Sequence, residues 1–346
     1  MDIHDYSERK RLSLRQIIDF TSDVNPLGPS GKAKNAIRKA IRYLEFPPDK
    51  NIRHLKHYIC RHEKIDENNV IFGQGSSQLI HGILDTIKPN NVLLISPVSK
   101  RFNQIVANHD ISVHMISADE DNAFSVDMQK LAERIKYTDM VILSNPQDMT
   151  GSSMPADSLL QLIDEIEKNG KVLIIDERYI DFTQEQSPVK AVTASRNTML
   201  LRTFSAFYAL SGLPLGYGIG SSEMVNKLTE IPTLASGNTL AYTAAIASLR
   251  DVGYRARTLR FLKEEKIYFL DKLKQIDSVE VLDMAASNFL LLKINKHIPE
   301  LESLFLKQHI IIDVFSCESG NVYLKLPIKR HKQNARFLKT LKHIIF

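Results

Sequence analysis

Five short apolar runs, separated by segments with helical patterns, constrain the fold of this 346-residue chain more than any other feature. Each run is continuous rather than alternating, as in strands that are buried on both faces of a sheet. Strands that alternate with helices in this way are typical of a mostly parallel sheet with helices on both faces. The sequence therefore predicts an α/β fold between about residues 66 and 221, with strands at 70–72, 92–95, 140–143, 172–175 and 199–201.

The end of the chain has a different pattern. A long charged helix is predicted at about 254–275, strands at 279–281, 289–292, 310–314 and 322–326, and a last helix at about 333–344. This order of strand, helix, strand, strand and helix indicates a separate, smaller α+β domain. At the beginning, Ser30 is a plausible N-cap for a helix that runs to about Tyr43.

Ligands of a parallel sheet bind beyond the carboxyl ends of its strands. Ser76 and Ser77 follow the first run and the glycines at 73 and 75, a pattern that suits either a phosphate-binding loop or an ordinary tight turn. Asp176 ends the fourth run, where it is either a cofactor ligand or a structural, helix-capping carboxylate. The segments after these strands are therefore the candidate site.

Five motifs in order, including 20–28, 176–182 and 203–212, give the chain a family resemblance. It resembles the fold type I pyridoxal-phosphate enzymes, in the branch of histidinol-phosphate aminotransferase and threonine-phosphate decarboxylase. The resemblance implies a three-layer, mostly parallel sheet as in aspartate aminotransferase, with a smaller α+β domain. It also implies an N-terminal arm at 1–30 that is part of the small domain, a large domain at 31–235 and a C-terminal small domain at 236–346.

The resemblance assigns roles to nine residues. Asp176 would pair with the pyridine nitrogen of the cofactor and Tyr179 would bond its ring hydroxyl. Asp148 stands where the family has an asparagine for that hydroxyl, and Lys325 where it has an arginine that grips the substrate carboxylate, so that the charge remains without the fork geometry. The cofactor-binding set is Ser76, Ser77, Asp148, Asp176, Tyr179, Thr203 and Ser205, and the substrate-binding set is Asn25 and Lys325.

Ala206 stands where the family has the lysine that forms a Schiff base with the cofactor, so the sequence offers no catalytic residue. Pro214 replaces a phosphate-binding arginine and Ser99 replaces an aromatic residue that stacks on the ring. Several departures together favour natural drift over an engineered lysine-to-alanine change, although both histories stay open. Lys100 is either a substitute for the lost amine or an exposed surface lysine.

Three interpretations follow. In the first, the chain binds pyridoxal phosphate or pyridoxamine phosphate without a covalent bond, and ordinary transamination is impaired. In the second, it is a non-catalytic subunit that forms a heterodimer with an active paralogue. In the third, it is a binding or regulatory protein with no cofactor. We expect a small amino acid or phospho-amino acid as the ligand, and a homodimer by resemblance.

Composition excludes several other classes of protein. The net charge is only +5, and the basic cluster at 329–332 is interpreted as a solvated surface rather than a nucleic-acid site. Cys60 and Cys317 are far apart in the sequence and have no metal-ligand spacing, so we expect no disulfide framework and no metal. We find neither an apolar signal sequence nor a membrane span, and we expect a cytoplasmic protein.

Overall fold

The computed structural model describes residues 2–49, 52–229, 238–282, 284 and 288–345. The strands in this part of the chain are β1 (Ile18–Asp19), β2 (Val70–Gly73), β3 (Asn91–Ser96), β4 (Ser112–Ser117), β5 (Met140–Ser144), β6 (Val172–Asp176), β7 (Thr198–Thr203), β8 (Gly216–Gly220), β9 (Val279–Leu282), β10 (Phe289–Ile294), β11 (Ile310–Ile311), β12 (Asp313–Ser316) and β13 (Val322–Pro327).

The α-helices of the same residues are α1 (Ile3–Lys10), α2 (Gly31–Ala40), α3 (Arg53–Glu63), α4 (Ser76–Ile87), α5 (Lys100–Ala107), α6 (Met128–Ile135), α7 (Ala156–Lys168), α8 (Val189–Ala194), α9 (Ser222–Thr229), α10 (Thr239–Leu249), α11 (Val252–Leu273), α12 (Leu301–Leu306) and α13 (His331–Ile345). Ser30 caps α2 as expected, since its hydroxyl accepts a hydrogen bond from the Ala33 amide. The helix ends at Ala40, and a 3-10 turn (Ile41–Tyr43) follows it.

The large sheet has seven strands in the order β2-β8-β7-β6-β5-β3-β4. The strands from β4 to β7 pair in parallel, whereas β8 is antiparallel to both β7 and β2. Apolar clusters of buried residues cover both faces. The predicted α/β class is therefore confirmed, and all five predicted strands belong to this sheet.

The sequence did not predict two strands of the large sheet. β8 reads Gly-Tyr-Gly-Ile-Gly and has no continuous apolar run, although all five of its residues are buried. β4 lies at the edge of the sheet, where most of its residues are exposed. Both strands lack the continuous apolar run by which buried central strands are recognised.

The smaller sheet is antiparallel, in the order β12-β13-β10-β9. The predicted strand at 310–314 is in fact two strands, because β11 pairs in parallel with β1 near the N-terminus and β12 pairs with β13. Phe20 lies with Phe269, Phe305 and Phe337 in the apolar core beneath this sheet. The expected domain boundary at 235/236 lies outside the described residues.

Within the described residues, every helix is too short or too polar to cross a bilayer. The basic cluster at 329–332 is not wholly a solvated surface, which corrects the interpretation of the sequence. Lys329 is buried, and its ammonium donates a hydrogen bond to the carbonyl oxygen of Ser22. Burial lowers the pKa of Lys329, because the charged form loses its hydration.

Gly216 allows β8 to pass close to the loop before α4. A Cβ atom at Gly216 would lie 2.8 Å from the carbonyl carbon of Gly75 and 2.9 Å from the backbone nitrogen of Ser76. We expect Gly216→Ala to lower the free energy of unfolding by about 1 to 3 kcal/mol, because backbone atoms must move to make room. Urea denaturation measures this loss.

Gly212→Ala is the matched control, because a Cβ atom there would have no heavy atom within 4 Å. We expect this variant to keep or slightly increase the stability of the protein, since alanine restricts the unfolded chain more than glycine does. Equal stability of the two variants would contradict the close approach at Gly216.

Candidate cofactor and ligand site

The carboxyl ends of the central strands bring most of the predicted residues to one edge of the large sheet. Asp176 ends β6, Thr203 ends β7 and Ser76 begins α4, directly after the loop that follows β2. Asp148 lies in the loop after β5, and Tyr179 lies three residues beyond Asp176. This edge is where ligands bind in sheets of this kind.

Ala206 lies in an apolar environment. Only 1% of its surface is exposed, and its carbonyl oxygen accepts a 2.9 Å hydrogen bond from the Asn25 amide. Its buried apolar neighbours form one cluster, which consists of Tyr179, Phe182, Phe207, Tyr254, Leu262, Phe289 and Ile328. The position has therefore been packed as a hydrophobic core site, in which an unpaired charge is costly.

Asp176 is already bound to a cation of the protein itself. The carboxylate is fully buried and accepts a hydrogen bond from the guanidinium of Arg101, near the beginning of α5. The same guanidinium lies 3.4 Å from the hydroxyl oxygen of Ser76. Arg101 therefore joins the end of β6 to the N-terminus of α4, and it supplies a positive charge to the carboxylate that was expected to meet the pyridine nitrogen.

Lys325 is paired in the same way. Its ammonium donates a 2.8 Å hydrogen bond to the Asp23 carboxylate and lies 3.2 Å from the hydroxyl oxygen of Tyr179, which itself donates to Asp23. Burial is the largest single influence and would lower the pKa of Lys325, but the charge and hydrogen bond of Asp23, together with Tyr179 and Asp148, outweigh burial and raise it. Burial likewise favours protonation of Asp23, yet the charges of Lys325 and Arg178 lower its pKa overall. Lys325 is thus a fully charged partner of Asp23.

Arg178 completes this group of charges. Burial would lower the pKa of its guanidinium, but the nearby Tyr179 and the carboxylates of Asp23, Asp176 and Asp148 raise it. Its Nε atom is buried and has no hydrogen-bond partner. We call these six residues the charged cluster, and they are Asp23, Asp148, Asp176, Arg101, Arg178 and Lys325. Three carboxylates and three cations balance one another in it.

The sequence of residues 15–332 matches the family model of aminotransferase class I and II. The chain belongs to this family. Because the match spans the large sheet, the charged cluster and all four strands of the small sheet, the family assignment covers both parts of the fold.

Individual members of the aminotransferase class I and II family resemble the chain over nearly its whole length. Threonine-phosphate decarboxylase from Salmonella typhimurium is 26% identical over 339 residues, which are 96% of this chain and 93% of that protein. The crystal structure of histidinol-phosphate aminotransferase from Clostridium acetobutylicum is 27% identical, with a TM-score of 0.86 over 95% of this chain and 99% of that one.

A third relative shows the fold alone. Histidinol-phosphate aminotransferase from Sinorhizobium meliloti, solved in complex with pyridoxal-5'-phosphate, has a TM-score of 0.90 at 19% identity, over 100% of this chain and 95% of that one. The fold of the family is therefore retained in full.

The other predicted site residues of this family member make bonds within the protein. The Asn25 side-chain nitrogen lies 2.9 Å from the carbonyl oxygen of Phe207 and 2.9 Å from the hydroxyls of Tyr254 and Thr258. Its side-chain oxygen accepts from the Leu27 amide. These contacts hold the N-terminal segment against the loop around Ala206 and against α11.

Thr203 and Ser205 interact with each other. The hydroxyl oxygen of Thr203 lies 3.0 Å from that of Ser205 and accepts a hydrogen bond from the Ser205 amide. Ser77 lies in the first turn of α4, next to Ser76, and is partly exposed. These three hydroxyl-bearing residues therefore remain at the same edge of the sheet as Ser76.

Lys100 lies at the surface. Its side chain is 77% exposed, and its ammonium pairs with Asp313 at 3.2 Å. This position favours the interpretation of Lys100 as a surface lysine, whose partner is Asp313 of β12.

The described residues do not fit a covalently held pyridoxal phosphate. Ala206 has no amine, and its surroundings are apolar. The groups expected to meet the nitrogen and the hydroxyl of the ring, Asp176 and Tyr179, bond instead to Arg101 and Asp23. A cofactor would have to displace these internal partners.

Arg101 and Asp23 were missing from the expected site. Asp23 stands in the N-terminal motif at 20–28, two residues before Asn25, and Arg101 stands two residues after Ser99. Asp23 lies within a segment that carried the resemblance, whereas Arg101 lies just after one of the departures from it. The sequence did contain one signal for them. Asp148, Asp176 and Lys325 were assigned to one site, and buried charges require partners of the opposite sign.

Proposed function

We propose that this member of the aminotransferase class I and II family binds pyridoxal phosphate or pyridoxamine phosphate non-covalently at most, and that ordinary transamination is impaired. The observation that carries the proposal is the burial of Ala206 among apolar side chains. A small amino acid or phospho-amino acid is the proposed ligand class, in keeping with the decarboxylase and the aminotransferase that the chain resembles.

The state of Lys325 supports the non-covalent proposal. Its buried ammonium lies 3.2 Å from the hydroxyl of Tyr179, the group that the resemblance places at the ring hydroxyl. Only a neutral amine attacks an aldehyde, and Asp23 raises the pKa of this one. The amine of Lys325 is therefore held in its unreactive form.

We further propose a dimer. Four apolar side chains near the end of α2 are between 49% and 59% exposed: Ile41, Tyr43, Leu44 and Phe46. A contiguous apolar segment of this kind is typical of a protein–protein interface. A second copy of the chain is the proposed partner, and the protein would be cytoplasmic.

A second candidate function is that of a non-catalytic subunit or regulatory protein derived from a pyridoxal-phosphate enzyme. The charged cluster favours it, because three carboxylates and three cations already neutralise one another without a ligand. In this case the cofactor would not bind at all. A partner with an active site of its own would supply any activity.

Titration with both forms of the cofactor tests the proposal. Pyridoxamine phosphate has no aldehyde, so a purely non-covalent site should bind the two forms with dissociation constants within about tenfold, a difference of about 1.4 kcal/mol. Absorbance spectroscopy and calorimetry measure the binding. Borohydride treatment followed by peptide mapping should find no pyridoxyl group on a buried lysine.

Lys325→Met is the matched variant for this titration. If pyridoxal phosphate bound more than a hundredfold more tightly than pyridoxamine phosphate, and if Lys325→Met removed that preference, an internal imine would exist and the proposal would be wrong. Absence of binding by both forms would favour the regulatory function instead.

A further inference from the structure

A cavity of about 220 Å³ lies at the carboxyl ends of β3 and β5, between the loop after β5 and the segment that leads into α6. Its walls are mainly apolar, and the apolar side chains include Val98, Phe102, Phe124, Val126, Met128 and Met154. Asp148 is the one member of the charged cluster that lines it. The cavity is thus adjacent to the cluster and shares one carboxylate with it.

Three residues of the cavity wall have polar atoms without partners. The Oδ2 atom of Asp148 and the hydroxyl oxygens of Ser144 and Ser153 are buried, and none of them has a hydrogen-bond partner. Asp148 is only 3% exposed and Ser144 only 8%. Buried polar atoms in folded proteins nearly always have a partner, and an unpaired one costs about 1 to 3 kcal/mol. Three such atoms around one cavity form a polar region at which a ligand group could gain hydrogen bonds.

The chemistry of these atoms defines the head group of the ligand. An ionised carboxylate only accepts hydrogen bonds, and a serine hydroxyl can accept as well as donate. Arg178 and Lys325 are affected by the charge of Asp148, but neither forms a hydrogen bond with it. A ligand that satisfies Asp148 must therefore bring an N–H or O–H donor into the cavity.

The volume defines the body of the ligand. An apolar cavity of about 150 Å³ in a protein interior holds benzene. A cavity of about 220 Å³ therefore has room for one six-membered ring and a short polar group. The apolar walls match such a ring, since burial of apolar surface stabilises binding by about 25 cal/mol per Å².

We propose that this cavity is a binding site for a small apolar molecule that carries a hydrogen-bond-donating head group, with Asp148 as the acceptor and Ser144 and Ser153 as secondary partners. Ammonium and hydroxyl heads share this chemistry. The cavity shares Asp148 with the expected cofactor-binding set, but its wall includes neither Tyr179 nor Asp176, so binding in it can be measured without any pyridoxal compound.

The test uses the full chain without any pyridoxal compound, with benzylammonium, benzyl alcohol and toluene as probes. We expect calorimetry or ligand-observed NMR to show binding of one or both donor probes, at least tenfold tighter than that of toluene. Asp148→Asn should weaken benzylammonium at least tenfold and benzyl alcohol much less, because the amide oxygen still accepts a hydrogen bond but carries no charge. Ser144→Ala should weaken both donor probes about threefold.

Asp164→Asn is the matched control, since it removes a carboxylate from an exposed position of α7 outside the cavity wall. It should leave the binding of all three probes unchanged. The proposal would be overturned if toluene bound as tightly as the donor probes, or if neither donor probe bound. It would also be overturned if Asp148→Asn and Asp164→Asn had equal effects on binding. Circular dichroism of each variant ensures that a loss of binding reports the site rather than unfolding.

Discussion

Ala206→Lys is expected to destabilise the protein rather than to restore an enzyme. The new ammonium would enter the cluster formed by Tyr179, Phe207 and Phe289. We expect the free energy of unfolding at pH 7 to fall by about 3 to 5 kcal/mol, as for other buried charges that have no partner. Urea denaturation in the absence of any cofactor measures this change.

The pH dependence of this loss has a definite sign. Burial lowers the pKa of an unpaired lysine, so at neutral pH the unfolded chain would bind a proton that the folded chain does not. The stability of Ala206→Lys relative to the parent should therefore rise as the pH approaches the unfolded value of about 10.4. Ala206→Met, of similar length but without charge, should lose only about 1 to 3 kcal/mol at all pH values. Equal stability of the two variants at pH 7 would show that a lysine finds a partner here.

Asp23→Asn is expected to be the most destabilising loss of a single charge in the cluster. The substitution removes the negative charge that balances the Lys325 ammonium and leaves one oxygen where two could accept, so that Lys325 and the Tyr179 hydroxyl, both of which are buried, lose their charged acceptor. Breaking a buried ion pair in this way costs about 3 to 5 kcal/mol. The exposed pair of Lys100 and Asp313 is the matched control, and Asp313→Asn should change stability by less than about 1 kcal/mol.

The linked pKa shifts fix the pH range of this effect. The pKa of Asp23 is lowered on folding, so its contribution is present above the unfolded value of about 3.9 and is lost as the pH falls through the folded value. The pKa of Lys325 is raised, so its contribution is present below about 10.4 and is lost as the pH rises through the folded value. The difference between Asp23→Asn and the parent should be largest between about pH 5 and 9.

A double-mutant cycle shows whether the pair itself is responsible. Lys325→Met in the Asp23→Asn background should recover at least 1 kcal/mol, because the uncompensated ammonium is then gone. If the free energies of unfolding lost in the two single variants simply added in the double variant, Asp23 would stabilise the protein through contacts other than the one with Lys325.

The sequence predicted those parts of the fold that depend on local patterning. Buried parallel strands have continuous apolar runs, and the five predicted strands were recognised from them. β8 was missed because three of its five residues are glycines, which add no apolar side chains to the pattern. These glycines instead allow neighbouring atoms to approach the backbone closely. The division of 310–314 into β11 and β12 was not predictable either, because it depends on pairing with β1 near the other end of the chain.

The bonding partners of the candidate site residues were less predictable from the sequence than the fold was. The resemblance assigned Asp176, Tyr179 and Lys325 to one cofactor and substrate site, but the sequence did not predict what they bond to. The partner of Asp176 comes from α5, and that of Lys325 comes from a segment about 300 residues earlier in the chain. Motifs record which residues are present, whereas charge pairing depends on distances that only the folded chain defines.

The N-terminal segment that carries Asp23 and Asn25 bonds to both parts of the fold. Asn25 bonds to the loop around Ala206, whereas Ser22 and Asp23 accept hydrogen bonds from Lys329 and Lys325 of the small-sheet region. Any rotation of one part against the other would have to break bonds of this segment or carry it along. The segment therefore links the two parts of the fold, and exchange of its backbone amides with heavy water would report how often these bonds break.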